Sequence, residues 1–236
     1  MKEFRAEFIE RVERTKSVFS FRFKPQETVD FIPGQFAQII FDEANKANRN
    51  LNKYLSFSCR PQKEYIEFTK RISSSDFSKR LWSLKKGDSI LGKGPMGHCA
   101  LEQVGRKHAA LIGGIGITPI ISMLEHIAFK KLPTDIHILY SNTTDEDVPF
   151  YHEIEGWTKD YPNIKVVHMV FSCVSKDKEC FTGIITKDFV LKQIPDYKER
   201  IFYIFGPPQM VCAMEDICRE IGCSPENIKA ENFTGY

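Results

Sequence analysis

The sequence has no long apolar run. No stretch approaches the roughly 18 consecutive apolar residues that a bilayer-spanning helix needs, so membrane insertion is not expected. The opening residues MKEFRAEFIERVERT alternate charged and apolar side chains and show no leader-like apolar segment, which reads as cytoplasmic. There is no excess of one charge: 33 Lys and Arg stand against 31 Asp and Glu, for a net charge of +2. A nucleic-acid partner, which calls for a clustered basic surface, is therefore not expected. The seven cysteines, Cys59, Cys99, Cys173, Cys180, Cys212, Cys218 and Cys223, include no C-x-x-C pair and no group of four. That argues against a zinc site, an iron–sulfur cluster and a disulfide framework. Small buried residues in a reducing compartment are the expected reading, with no metal. Repeats and low-complexity tracts are also missing.

What is present suits two packed domains. The 236 residues are 42% hydrophobic and 27% charged, enough apolar content for real cores. The first part reads as short strands rich in Phe, Ile and Val: Phe4 to Val12, Val18 to Phe23, Phe36 to Phe41, Leu55 to Cys59, Tyr65 to Ile72 and Asp88 to Leu91. Pro33-Gly34, Gly87-Asp88 and Gly94-Pro95 punctuate them as turns. One helix, Ser75 to Leu84, interrupts them with Phe77, Leu81 and Leu84 on one face, and the Asn-rich stretch from Asp42 to Lys53 reads as a loop.

After about Gln103 the rhythm changes. Strands are expected at Ala109 to Ile112, Ile136 to Tyr140, Ile164 to Phe171 and Ile201 to Phe205. Between them fall helices: one capped by Thr118 with Pro119 first inside it, then Phe150 to Tyr161, Phe189 to Ile194, and Pro208 to Ile221 stopped by Gly222. This alternation predicts a doubly wound parallel sheet. The expected fold is thus a β-barrel followed by an α/β domain, with the boundary between 1–103 and 104–236.

Two loops carry the chemistry. Gly113-Gly114-Ile115-Gly116-Ile117-Thr118-Pro119 lies between a strand and a helix. Glycines there let the backbone approach a pyrophosphate, and a helix N-terminus offers free N–H groups and positive partial charge. The spacing departs from G-x-G-x-x-G, so an ordinary Rossmann dehydrogenase is not the match. Phe205-Gly206-Pro207-Pro208-Gln209-Met210 is a second strand-to-helix turn. Two such loops on one sheet are expected to frame one crevice.

These residues resemble the ferredoxin–NADP reductase superfamily, over nearly the whole chain. GGIGITP is similar to that family's nicotinamide-side pyrophosphate loop, FGPPQM to its C-G-P-P-x-M segment, and Pro33-Gly34-Gln35-Phe36 to its P-G-Q-F turn. Gly94-Pro95-Met96-Gly97 resembles the closing G-P-x-G, and Glu231 to Tyr236 resembles the family's tail. The resemblance implies an antiparallel FAD-binding barrel, an NAD(P)-binding domain and no fused iron–sulfur domain.

It also implies site residues. Lys53-Tyr54-Leu55-Ser56-Phe57-Ser58-Cys59 stands where the family has R-x-Y-S-x-x-S. Lys53 then neutralises a flavin phosphate, Ser56 hydrogen-bonds flavin N5, and Leu55 covers the ring in place of a tyrosine; Tyr54 is also implied as a flavin-binding residue, and Cys59 stands in place of a serine. Thr69, Lys70, Arg71, Ser75 and Ser78 resemble the family's diphosphate segment and favour FAD over FMN. Gly113, Gly114, Gly116, Thr118 and Pro119, with Phe205, Gly206, Pro207 and Met210, are the implied nucleotide residues. Phe205 stands where many members carry a cysteine. Tyr236 either stacks on the flavin or ends a frayed tail.

Ser141 and Asn142 open a loop with Asp145, Glu146 and Asp147 and no Lys or Arg. A 2′-phosphate wants a basic side chain, so NADH is favoured over NADPH. The expected activity is hydride transfer from NAD(P)H to FAD. Electrons then pass to a separate iron–sulfur protein, flavodoxin, haem protein or oxygenase component. Two alternatives stand beside it: an electron-relay or nucleotide-sensing subunit of a larger redox complex, and a flavin-free binding module.

Overall fold

The computed structural model describes residues 2–101, 105–174 and 180–233. They form two units, one of residues 2–101 with 118–126, the other of residues 105–117 with 127–233.

The first unit is built from phenylalanine-rich alternation. Strands β1 (Lys2–Glu13), β2 (Val18–Pro25), β3 (Phe36–Ile40), β4 (Asn52–Ser56) and β5 (Ile66–Arg71) precede helix α1 (Asp76–Trp82) and strand β6 (Ser89–Met96). They hydrogen-bond in the order β4-β3-β6-β1-β2-β5, and every pairing is antiparallel. The last gap narrows just past β4, where Phe57 bridges Phe68 and the Ser58 N–H donates to the Glu67 carbonyl at 2.8 Å. The result is a nearly closed barrel. Phe8, Phe21, Phe23, Phe57 and Phe68 fill it, with Phe77, Leu81 and Leu84 from and beside α1 in the same core. Such rings each bury a large apolar area and dominate core energetics. The barrel also holds a charge. Glu67 is 2% exposed and is paired with Arg14 at 3.2 Å and Arg22 at 2.8 Å, since a buried carboxylate persists only when paired.

The second unit runs β7 (Lys107–Gly113), a 3-10 turn (Gly114–Ile117), α2 (Thr118–Lys130), β8 (Asp135–Thr144), α3 (Tyr151–Asp160), β9 (Ile164–Ser172), β10 (Phe181–Thr182), α4 (Lys187–Gln193), β11 (Arg200–Gly206), α5 (Pro208–Glu220) and β12 (Ile228–Asn232). The first half of α2 is counted with the barrel, where the Ser122 hydroxyl donates to the Cys59 carbonyl at 2.6 Å. The sheet order is β10-β9-β8-β7-β11-β12, and every pairing is parallel. Strand β7 is the first laid down, β8 joins one side of it and β11 the other. That reversal is a topological switch point, where ligands of such sheets bind at the carboxyl ends of the strands.

Several expectations need correction. Thr118 is not the cap of α2. Ile117 holds that place in helical conformation, with no side-chain hydrogen bond, because the preceding 3-10 turn already feeds helical backbone into the helix. Strand β6 runs on through Gly94 and Pro95 to Met96, where a turn was expected. Strand β4 starts at Asn52 rather than Leu55. Strands β10 and β12 were not expected. The cysteines are not all small buried residues: Cys173 and Cys180 form a disulfide and Cys212 is exposed, while Cys59, Cys99, Cys218 and Cys223 are buried and free. Among the described residues no helix is long and apolar enough to cross a membrane.

Candidate functional site

The nucleotide-side residues meet at the switch point. Gly113 ends β7 and Gly206 ends β11. These strands pair directly, Phe205 lying opposite Ile112. A Cβ on Gly116 would lie 2.4 Å from the Phe205 carbonyl oxygen, and one on Gly113 would lie 2.3 Å from the Met210 sulfur and 3.3 Å from Pro207. A Cβ on Gly206 would come within 3.2 Å of the same sulfur. Glycine at these three positions lets the two loops lie against each other.

Gly114 differs. Its φ is +52° and a Cβ there would meet nothing within 4 Å. The bare backbone faces open space, as a surface that approaches a phosphate must. One residue that sequence reasoning missed holds it there: the Tyr140 hydroxyl donates to the Gly114 carbonyl at 3.0 Å. Its only sequence signal is a tyrosine closing the apolar run of β8. Thr118 is buried at the start of α2, with Pro119 next. Phe205 is placed inward. Its side chain is fully buried beside Tyr203 and Phe233, so its contribution at the surface of the loop is backbone.

At the carboxyl end of β8, Ser141 is partly exposed and Asn142 is 5% exposed. The Asn142 side-chain nitrogen has no hydrogen-bond partner among the described residues. Leaving a buried donor unpaired costs about 1–3 kcal/mol, so this amide suits a ligand oxygen. Of the three acids that follow, Asp145 is buried and accepts a hydrogen bond from the Val174 N–H at 2.7 Å.

The flavin-side residues sit in the other unit. Lys53 lies opposite Ile39 on β3, and Leu55 opposite Ala37, packed on the barrel core. Tyr54 points the other way, 61% exposed, its ring edge-on to Phe36 at 5.8 Å. Ser56 is 6% exposed and its hydroxyl has no hydrogen bond among the described residues. Lys70 is half-buried. Burial first, then the charge of Lys53, holds its ammonium below the usual lysine range. Neither lysine is ion-paired with a carboxylate among the described residues. Two neighbouring cations of this kind form a donor set for an anion such as a phosphate.

Thr69 and Ser78 of that segment turn inward. The Thr69 hydroxyl lies 2.7 Å from both the Ser20 and Ser58 hydroxyls inside the barrel. Ser78 is fully buried, 3.0 Å from the Ser75 hydroxyl, and its N–H donates to Ser75, which caps α1. Arg71 reaches the Ser17 hydroxyl. Thr69 and Ser78 thus shape the segment, leaving the lysines to face a charge. Tyr236 lies outside the described residues.

Residues 111–216, which span the glycine loop and most of α5, match the oxidoreductase NAD-binding domain family. Beyond that domain the chain resembles reductases of the ferredoxin–NADP reductase type. It is 28% identical over 241 residues to the flavohemoprotein of Bacillus subtilis (strain 168), covering 98% of this chain and 60% of that protein. It is 32% identical over 181 residues to NADH-cytochrome b5 reductase 2 of Lodderomyces elongisporus, covering 73% and 59%. The fold is shared with the cytochrome b5 reductase domain of Ulva prolifera nitrate reductase at a TM-score of 0.84 and 21% identity, over 98% of this chain and 97% of that one. The chain spans no more than about three-fifths of the length of the curated relatives named here.

Proposed function

We propose that this chain is a flavoprotein reductase that takes a hydride from NAD(P)H and passes electrons to a separate acceptor protein. The observation that carries the reading is the pair of glycine loops laid together at the switch point, with the Gly114 backbone facing open space. Residues 104–236 supply the nucleotide side. Gly113, Gly114 and Gly116 hold the pyrophosphate against backbone N–H groups, and Asn142 offers its unpaired amide to the adenosine half. Residues 1–103 supply the flavin side. Lys53 and Lys70 neutralise the diphosphate of FAD, Leu55 covers the ring, and the Ser56 hydroxyl is free to hydrogen-bond the flavin at N5. FAD, when bound, accepts a hydride and gives up electrons one at a time.

The acceptor is an iron–sulfur protein, flavodoxin, haem protein or oxygenase component. Relatives named as a flavohemoprotein and as the toluate 1,2-dioxygenase electron transfer component of Pseudomonas putida favour such partners. We place the protein in the cytoplasm.

The visible spectrum tests the reading. Purified protein is expected to be yellow, to release FAD on denaturation, and to bleach with NADH under anaerobic conditions. A colourless protein that takes up no added flavin would favour a binding module instead. A yellow protein that NADH cannot bleach would favour a sensing or relay subunit.

A further inference from the structure

The reductase reading leaves the Cys173–Cys180 bond unused. It joins the end of β9 to the start of β10 across a sequence separation of 7. Of the five other cysteines four are buried and only Cys212 is exposed, so Cys173 and Cys180 are the pair that the described chain brings together in a disulfide. Disulfides in a reducing compartment are usually transient, catalytic or redox-sensing. This one is placed to be reached. Cys173 is exposed, and Phe171, Val174 and Phe181 around it are each about half exposed.

Its position matters because of what it restrains. Strand β10 has only two residues and forms the edge of the sheet. Phe181 and Thr182 pair with Met169 and Val170, and the Gly183 N–H donates to the Val170 carbonyl at 2.9 Å. So short a strand is poorly held by its own ladder. The residue next to Cys173 is Val174, whose N–H donates to Asp145 at 2.7 Å. Asp145 directly follows β8, three residues after Asn142. The bond therefore holds the chain that anchors the loop at the carboxyl end of β8.

We propose that Cys173–Cys180 is a thiol–disulfide exchange site whose redox state sets nucleotide affinity, with a dithiol as its reducing partner. This rests on the assignment of the β8 loop to the nucleotide. In the exchange, a thiolate of the dithiol attacks one sulfur and the S–S bond breaks. A mixed disulfide forms, and the second thiol of the partner resolves it. The protein gains two electrons and two protons as Cys173 and Cys180 thiols, and the partner leaves as a disulfide. With the bond broken, β10 frays from the edge, Val174 loosens from Asp145, and the loop loses the order that pre-shapes it for adenosine.

The test uses the flavin-loaded full chain in two states, poised with oxidised or reduced dithiothreitol. Differential alkylation and mass mapping report the bond. After anaerobic removal of the dithiothreitol, flavin bleaching across a series of NADH concentrations in the stopped flow gives an apparent KM and kcat. Reduction is expected to raise KM for NADH about fivefold, at the low end of ordinary site coupling, with kcat unchanged. Cys180→Ser should show the high KM in both states, and Cys212→Ser should respond like the parent. Absence of the bond under the oxidising poise, or one KM in both states, overturns the switch while leaving the reductase reading intact. A response that survives in Cys180→Ser overturns it too. Failure of NADH to reduce the flavin in either state sinks the reductase reading and the switch together.

Discussion

Gly114 and Gly116 are two residues apart, yet an added methyl meets different obstacles at each. At Gly116 it meets the Phe205 carbonyl at 2.4 Å, so Gly116→Ala forces the loops apart. Overpacking of this kind costs about 1–3 kcal/mol, and a lowered midpoint of thermal unfolding is expected. At Gly114 the methyl meets nothing, and only the positive φ opposes it, at about 1–2 kcal/mol. Gly114→Ala should therefore stay folded and yellow, and should be reduced slowly by NADH but normally by dithionite. Stopped-flow traces with the two reductants check this, and a parental NADH rate would remove Gly114 from the nucleotide site. Lys70 carries the opposite trade. Burial and Lys53 pull its pKa down, so the native state resists a proton that the unfolded chain accepts. The flavin-free fold thus carries a cost at neutral pH that fades as pH rises through the ordinary lysine range. Lys70→Met should raise the melting temperature of the flavin-free protein. It should also weaken FAD binding about tenfold, the worth of a hydrogen bond to a charged group. Melting curves and a fluorescence titration with FAD give both numbers.

The elements are pinned at the end of the sheet opposite the loops by one side chain. Arg200 opens β11 and is 2% exposed. Its guanidinium donates to Asp196 at 2.6 Å, to the His108 carbonyl on β7 at 2.8 Å, and to Asp135 on β8. Arg200→Ala would leave these acceptors without their cation, at a cost of about 3 kcal/mol or more. Hydrogen bonding to Arg200, chiefly, holds the Asp196 carboxyl well below the usual carboxylate range. A depressed carboxylate contributes stability above its unfolded pKa and loses it as pH falls toward the folded one. The parent should therefore weaken in acid more steeply than Arg200→Ala, as urea midpoints across an acid series would record. Element legibility followed the strength of local pattern. The Phe-rich strands and the two glycine-punctuated loops announce themselves within a few residues. Strand β12 reads IKAEN and is partly exposed throughout most of its length, and β10 is too short to show a period, so both are strands only because β11 and β9 pair with them. Strand β6 hid behind Gly92, Gly94 and Pro95. The site residues divided in the same way. Backbone-defined positions such as Gly113 and Gly116 were legible, whereas the inward turn of Thr69, Ser78 and Phe205 depends on packing. The disulfide had no motif to betray it.

For the molecule as a whole, the open question of cofactor choice falls to the β8 loop. Asp145, Glu146 and Asp147 bring negative charge there and no described basic side chain is part of the loop. A 2′-phosphate would meet repulsion instead of an ion pair. The ratio of kcat to KM should favour NADH over NADPH by about tenfold or more, with the gap narrowing in high salt as exposed charges are screened. A preference for NADPH would require a cation from another element. The switch point has one more consequence, for how the protein is made. The β7 strand and its partner β11 are joined by a contact that spans 92 residues of chain, from His108 to Arg200. On the ribosome the first glycine loop emerges long before Gly206 and Met210, against which it must rest. The six barrel strands, by contrast, are all encoded before Leu101. A growing chain can thus complete its barrel strands while it has only half of the nucleotide cradle, and a stall before β11 yields a polypeptide deaf to NADH.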